Sequence, residues 1–97
     1  MHFVVVTGRG ETWDLTRSMR EQDRWPEHAA FMNGLEAEGF IVLGGPVGDG
    51  SRVVLIVNAE SEEAVRRRLA ADPWAPLGFR PVISVEPWEV LLGELPE

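Results

Sequence analysis

The 97 residues of this chain carry a net charge of −7, and 44% of them are hydrophobic. This length predicts one domain, spanning residues 1–97, with a single modest core. The absence of cysteine excludes disulfides, thiolate metal sites and a cysteine nucleophile. All nine basic residues are arginine, so lysine chemistry is excluded as well. The acidic balance argues against a nucleic-acid partner, which would need a basic face.

The apolar runs of the chain are short. The longest, Phe40 to Leu43 and Val53 to Val57, are far below the length of a membrane span, and the N-terminus lacks the basic region of a signal peptide. We therefore expect no membrane partner and a cytoplasmic location.

The sequence of the first half of the chain predicts a strand, a loop and a helix. Phe3 to Thr7 is rich in β-branched residues and predicts a strand. Residues 8–24 are polar and charged, which predicts a long loop with at most one helical turn. A helix begins at Trp25-Pro26 and ends at Gly39, since proline suits the first turn and glycine the C-terminal end.

The second half adds two strands, a helix and a last strand. Residues 40–47 and 52–57 have strand character, and Asp49-Gly50 between them predicts a two-residue hairpin turn. Ser61 caps a second helix that Asp72-Pro73 ends, and residues 82–85 form the last strand. The order β-α-β-β-α-β predicts an α+β, ferredoxin-like fold with an antiparallel four-stranded sheet.

The strands are apolar at successive positions rather than at alternate ones, which indicates burial on both faces of the sheet. Two helices cover only one face, and a chain of this length has nothing left for the other. A second copy packed sheet to sheet is the simplest cover, so the pattern predicts a homodimer.

His28 is the first candidate for chemistry. It falls on the apolar stripe of the first helix with Phe31, Met32 and Leu35, at the spacing i, i+3, i+4, i+7. A partly desolvated imidazole can serve as a general base, whereas the alternative is a core histidine bonded to one backbone carbonyl.

Asp72 is the second candidate. With Val65 and Leu69 it follows i, i+4, i+7, which predicts that it emerges toward the sheet at the end of the second helix. Its alternative role is an Asx turn before Pro73. Antiparallel helices would bring the start of the first beside the end of the second, so we expect hydrogen-bond contact between His28 and Asp72. Such a carboxylate would fix the histidine tautomer.

Other residues are candidates for binding a substrate. Gly45-Pro46, with Gly44, interrupts a bulky strand and marks either a β-bulge or an open floor for a ligand. Trp25 and Trp74 lie at element junctions, where a core or interface role is the alternative. Arg24 is a candidate for an anionic group, or simply an exposed charge. The two histidines show no metal-ligand spacing, so we expect no metal and no cofactor.

In several short sequence segments, the chain resembles the YCII-related (YciI-like) family. The segment from Trp25 to Phe31 with His28, the Gly45-Pro46 pair, Asp72-Pro73-Trp74 and Pro87-Trp88 occur in the family's order and at similar spacing. The resemblance implies a dimeric α+β barrel with an active site around a His–Asp pair, here His28 and Asp72. One relative, a chlorohydroxyhydroquinone dehydrochlorinase, implies proton transfer on a ring substrate.

Three functions follow as hypotheses. The first is a small cofactor-free enzyme that performs elimination or isomerisation on a small, ring-containing anionic molecule, with His28 as acid or base and Asp72 orienting it. The second is a dimeric, non-catalytic module that binds a small ligand or another protein. The third is a cofactor-free or haem-dependent monooxygenase on the same barrel.

Overall fold

The computed structural model describes residues 1–95, and these build an antiparallel sheet with two helices. The elements in chain order are β1 (His2–Thr7), α1 (Trp25–Ala37), β2 (Ile41–Val47), β3 (Arg52–Asn58), α2 (Glu62–Leu69) and β4 (Val82–Pro87). Single turns of 3-10 helix lie at Met19–Glu21 and Ala75–Leu77. The strand order is β2-β3-β1-β4, and every neighbouring pair is antiparallel. The α+β, ferredoxin-like prediction is confirmed.

The main core lies between the helices and one face of the sheet. Alternate residues of β1 point into it, because successive side chains of a strand face opposite sides. Phe3 and Val5 pair with Val57 and Leu55 of β3 and are buried with them. The helices contribute Leu35 from α1 and, from α2, Val65 and Leu69.

Local signals set the ends of the helices. The φ of Gly39 is 82°, a left-handed conformation that favours glycine, and the amides of Gly39 and Phe40 bond back to the carbonyls of Glu36 and Leu35. This paired arrangement ends α1. At the start of α2, the Ser61 hydroxyl accepts a hydrogen bond from the Ala64 amide at 3.1 Å, which confirms the predicted cap.

Three boundaries differ from the sequence prediction. Four residues, 48–51, separate β2 from β3, so the predicted two-residue turn at Asp49-Gly50 is wrong. The helix α2 ends at Leu69, and Asp72 lies in the turn beyond it. The last strand continues to Pro87, because its residues keep pairing with β1 as far as Phe3.

The face of the sheet away from the helices is apolar. The register of β1 and β3 pairs Val4 with Ile56 and Val6 with Val54 on this side. Leu43 and Ile83 are exposed large hydrophobic residues of the neighbouring strands. No helix within residues 1–95 is long and apolar enough to cross a membrane.

Candidate functional site

The predicted contact between His28 and Asp72 is present. His28 lies in the first turn of α1, and its Nδ1 is 2.9 Å from Oδ1 and 2.8 Å from Oδ2 of Asp72. Both side chains are only about one-eighth exposed, at 12% and 13%. Partial burial weakens the screening of this contact by water.

Asp72 reaches His28 from a turn rather than from a helix. Its Oδ1 accepts the Trp74 backbone amide at 2.9 Å, and its backbone carbonyl accepts the amide of Ala75, also at 2.9 Å. Asp72 therefore forms the Asx turn that the sequence offered as an alternative and also holds the histidine. The turn fixes the carboxylate, so the imidazole meets an acceptor that is already oriented.

Trp74 supports the other side of the histidine. Its indole stacks on the imidazole with ring centroids 3.7 Å apart and planes 6° from parallel. The indole itself is 1% exposed, and its Nε1 donates to the Asp23 carbonyl at 2.8 Å. Because Trp74 is anchored at both its backbone and its ring, the imidazole is held between a fixed plane and a fixed carboxylate.

This arrangement selects one tautomer of the neutral ring. An ionised carboxylate only accepts hydrogen bonds, so Nδ1 of His28 carries the proton that it donates to Asp72. The remaining nitrogen, Nε2, has no hydrogen-bond partner among residues 1–95 and is not one of the fully enclosed polar atoms. A neutral His28 thus presents an unprotonated, accessible nitrogen that can accept a proton.

A cavity of about 470 Å³ opens between the helices and the sheet at this point. His28 and Asp72 line it together with the other predicted site residues Trp25, Gly45, Pro46 and Trp74. Its walls are mainly apolar, and its size lies within the range of sites for small molecules. The fold therefore gathers residues that are up to 49 positions apart in sequence around one space.

The glycine segment of β2 forms part of the cavity wall. The bulge in the pairing of β2 with β3 falls between Ile41 and Leu43, not at the glycines, so a bulge at Gly44-Gly45 was the wrong interpretation. A Cβ on Gly44 would come within 2.7 Å of Leu55. Glycine at this position keeps the wall thin and the cavity open.

Arg24 is the predicted site residue that the structure places elsewhere. Its side chain is half exposed and donates to Glu27 at 3.2 Å, and it does not line the cavity. Its backbone is left-handed, with φ of 61°, at the residue that precedes α1. The structure thus assigns the Arg24 side chain to a local ion pair at the start of the helix.

Residues in irregular segments shape the site in ways that the sequence patterns did not predict. Arg80 lines the cavity, just before β4. Trp13, from the long loop, is buried and meets Trp74 edge-on at 5.5 Å. Gln22 is 3% exposed and closes the loop by bonding to the backbone of Asp14 in both directions. A long polar loop that contains a tryptophan was the available signal that this segment packs against the domain.

No group of three or more histidine, aspartate or glutamate side chains with geometry suitable for a metal ion lies within the described part of the chain.

Comparisons with known proteins agree with the fold. The model of the YCII-related domain matches residues 1–89, and the chain therefore belongs to the YCII-related family. Among curated proteins, none matches the chain significantly. Among solved structures, the chain is similar to 5-chloro-2-hydroxyhydroquinone dehydrochlorinase (TftG) from Burkholderia phenoliruptrix AC1100, in complex with 2,5-dihydroxybenzoquinone. The identity is 28% and the TM-score 0.67, over 92% of this chain and 94% of that one.

Proposed function

We propose that this protein is an acid–base enzyme that acts on a small ring compound without a cofactor, by elimination or isomerisation. The observation that carries the proposal is the His28–Asp72 contact, with Nδ1 bonded to the carboxylate and Nε2 left accessible at the cavity. A base held in one orientation with one tautomer is what proton transfer requires.

In this proposal His28 takes a proton from the substrate through Nε2. The imidazolium that forms keeps its Nδ1–H bond to Asp72, whose negative charge offsets the new positive charge. The flat face of Trp74 stabilises the same cation by its ring electrons. His28 then returns the proton to the substrate in an isomerisation, or to water in an elimination.

The similarity to a dehydrochlorinase supports a specific member of this class. Loss of HCl from a chlorinated hydroxyhydroquinone requires removal of one proton and departure of chloride, with no oxidant or reductant. One positioned base supplies the first half of that step. The ligand in the related structure, 2,5-dihydroxybenzoquinone, is a single six-membered ring, and a cavity of about 470 Å³ has room for it.

The test is chloride release from 5-chloro-2-hydroxyhydroquinone by the purified protein. We expect turnover by the wild type and a loss of about 10²- to 10⁴-fold in His28→Asn, which removes the basic nitrogen but stays polar. Arg24→Met is the matched control because it changes a polar residue outside the cavity. If His28→Asn releases chloride as fast as the wild type does, the proposal is refuted.

We also propose that the protein works as a homodimer joined through the open face of the sheet. Val4, Val6 and Val54 on this face, with exposed Leu43 and Ile83, form an apolar surface that a second copy of the same sheet would cover. Light scattering at micromolar concentration should give twice the mass of the chain. Val54→Arg, which places a charge at the centre of this face, should give a monomer; a monomeric wild type would refute the proposal.

A further inference from the structure

In the described part of the chain, Arg80 lacks the carboxylate partner that five other arginines have. Arginines 17, 24, 66, 67 and 68 each lie within 4 Å of a carboxylate. No carboxylate of residues 1–95 forms an ion pair with Arg80. Among the described residues it is also the only arginine that lines the cavity. A cation without a counter-ion therefore stands at the wall of the proposed active site.

The guanidinium of Arg80 is held in place without being neutralised. Its two terminal nitrogens donate to the carbonyls of Ser51 at 3.2 Å and Gly50 at 3.0 Å, at the tip of the β2–β3 hairpin. Its Cζ lies 4.4 Å from the ring centre of Trp13. Neutral carbonyls and an aromatic face orient a guanidinium but leave its full charge unpaired.

One donor of this group is left unused. The Nε of Arg80 is enclosed and has no hydrogen-bond partner within the described chain. A buried donor without a partner costs free energy, so such groups are rare unless a ligand completes them. Burial, together with the nearby Arg9, lowers the pKa of Arg80, which indicates that the surroundings disfavour its charge. A bound anion beside the guanidinium would offset the cost of its unpaired charge.

The same aromatic side chains that hold His28 also hold Arg80. The guanidinium lies on Trp13, Trp13 meets Trp74 edge-on at 5.5 Å, and Trp74 stacks on His28. The positions of the base and of the cation are thus linked through rigid, buried rings. Such a linkage is suited to a substrate that must present an anionic group and a reacting atom at a fixed separation.

We propose that Arg80 is the anion-binding residue of the cavity and selects ring substrates that carry an ionised oxygen. This inference rests on the proposed function for the identity of the site. It further specifies the charge of the substrate and the residue that recognises this charge. The binding is a charge-assisted hydrogen bond to the guanidinium, which takes no part in proton transfer.

Calorimetric titration with two probes tests the proposal. The first is 2,5-dihydroxybenzoquinone, a vinylogous acid that is anionic at neutral pH; the second is 2,5-dimethoxybenzoquinone, which has the same ring and no ionisable oxygen. The wild type should bind the dihydroxy compound at least tenfold more tightly. Equal affinity for the two compounds, or no binding of either, would overturn the proposal without the use of any variant.

Substitutions then assign the selectivity to Arg80. Arg80→Met should weaken binding of the anionic probe by about 10- to 100-fold and change the affinity for the dimethoxy compound less than threefold. Arg80→Lys should fall between, because it keeps the charge but loses the planar fork. Arg24→Met, outside the cavity, should leave both affinities within twofold. An Arg80→Met protein that still prefers the anion would refute the assignment.

The two proposals fail in different ways. Selective, Arg80-dependent binding of the anion without any turnover would overturn the enzymatic function and leave the anion site standing. The opposite result is turnover that depends on His28 but is equal in the wild type and Arg80→Met, together with equal binding of the two probes. It would overturn the anion site and leave the enzymatic function standing. Thermal unfolding of each variant shows whether it is folded. If a variant does not fold, the titration of the wild type with the two probes still tests the anion site.

Discussion

The imidazole of His28 lies flat on the indole of Trp74, with 3.7 Å between ring centroids, while its Nδ1 bonds to Asp72. Stacking fixes the plane of the imidazole, and the hydrogen bond fixes its rotation within that plane. The two residues that do this are two positions apart in one turn, Asp72 and Trp74. A single turn after α2 thus prepares the base on α1 for reaction, before any substrate binds.

Replacement of Trp74 by leucine should cost both stability and function. The change removes a buried indole and its bond to the Asp23 carbonyl, so we expect the free energy of unfolding to fall by about 2–4 kcal/mol. Turnover should fall further than stability explains, because the imidazole loses its support. Urea denaturation measures the first effect. Leu15→Ala, an exposed side chain of the neighbouring loop, is the control and should change stability by less than about 0.5 kcal/mol.

Asp72→Asn should disturb the tautomer of His28. Both carboxylate oxygens lie within 2.9 Å of Nδ1, and an amide would put one acceptor and one donor there. Whichever tautomer the ring adopts, one of these contacts becomes repulsive. We expect ¹⁵N NMR to show Nδ1–H alone in the wild type and a mixture of tautomers in the variant, with turnover reduced by up to about 10⁴-fold. A variant that keeps Nδ1–H alone would contradict this account of the contact.

Two glycine substitutions, one at the cavity wall and one away from it, distinguish effects on ligand binding from effects on stability alone. Gly44→Ala should destabilise by about 1 kcal/mol and weaken ligand binding, since its Cβ would press on Leu55 at the cavity wall. Gly34→Ala lies within α1, where a Cβ meets nothing within 4 Å. It should stabilise by about 0.5–1 kcal/mol and leave binding unchanged. Titration with 2,5-dihydroxybenzoquinone and urea denaturation of both variants check the contrast.

Acid should loosen the loop at residues 8–24 through Asp14. Hydrogen bonds from the Thr16 hydroxyl and amide lower the pKa of the Asp14 carboxyl in the folded protein below its ordinary value of 3.8. A lowered pKa stabilises the fold above pH 3.8, and this contribution is lost as the pH falls through the pKa of the folded state. Asp14→Asn should therefore be less stable than the wild type at pH 7, and the difference should shrink as the pH falls below 3.8. A difference that stays constant with pH would contradict the role of this carboxylate.

The sequence predicts the fold well because its signals are local. The β-branched runs, the Ser61 cap and Gly39 each act within a few residues, and together they define the element order. The His28–Asp72 contact was also predictable, since antiparallel helices place the start of one beside the end of the other. The reason given for Asp72 was partly wrong, because helical periodicity does not extend to it and a turn positions its carboxylate instead.

The charged part of the site was not predictable from local patterns. Arg24 is a reasonable candidate by its position next to His28, but nothing in the sequence shows that Glu27 takes up its guanidinium. Arg80 reaches the cavity because the β2–β3 hairpin, some 30 residues earlier in the chain, offers it two carbonyls. Such contacts depend on the register of the whole sheet, which no periodicity over a few residues specifies.

Chemical rescue measures the central claim, that the imidazole of His28 performs the proton transfer. His28→Ala leaves a space between the Trp74 ring and the Asp72 carboxylate that free imidazole can occupy. We expect this variant to release chloride from 5-chloro-2-hydroxyhydroquinone very slowly, and added imidazole to raise the rate with saturation. Imidazole should have no such effect on His28→Ala combined with Asp72→Ala. Near-wild-type turnover by His28→Ala, or a rate that imidazole leaves unchanged, would contradict the account.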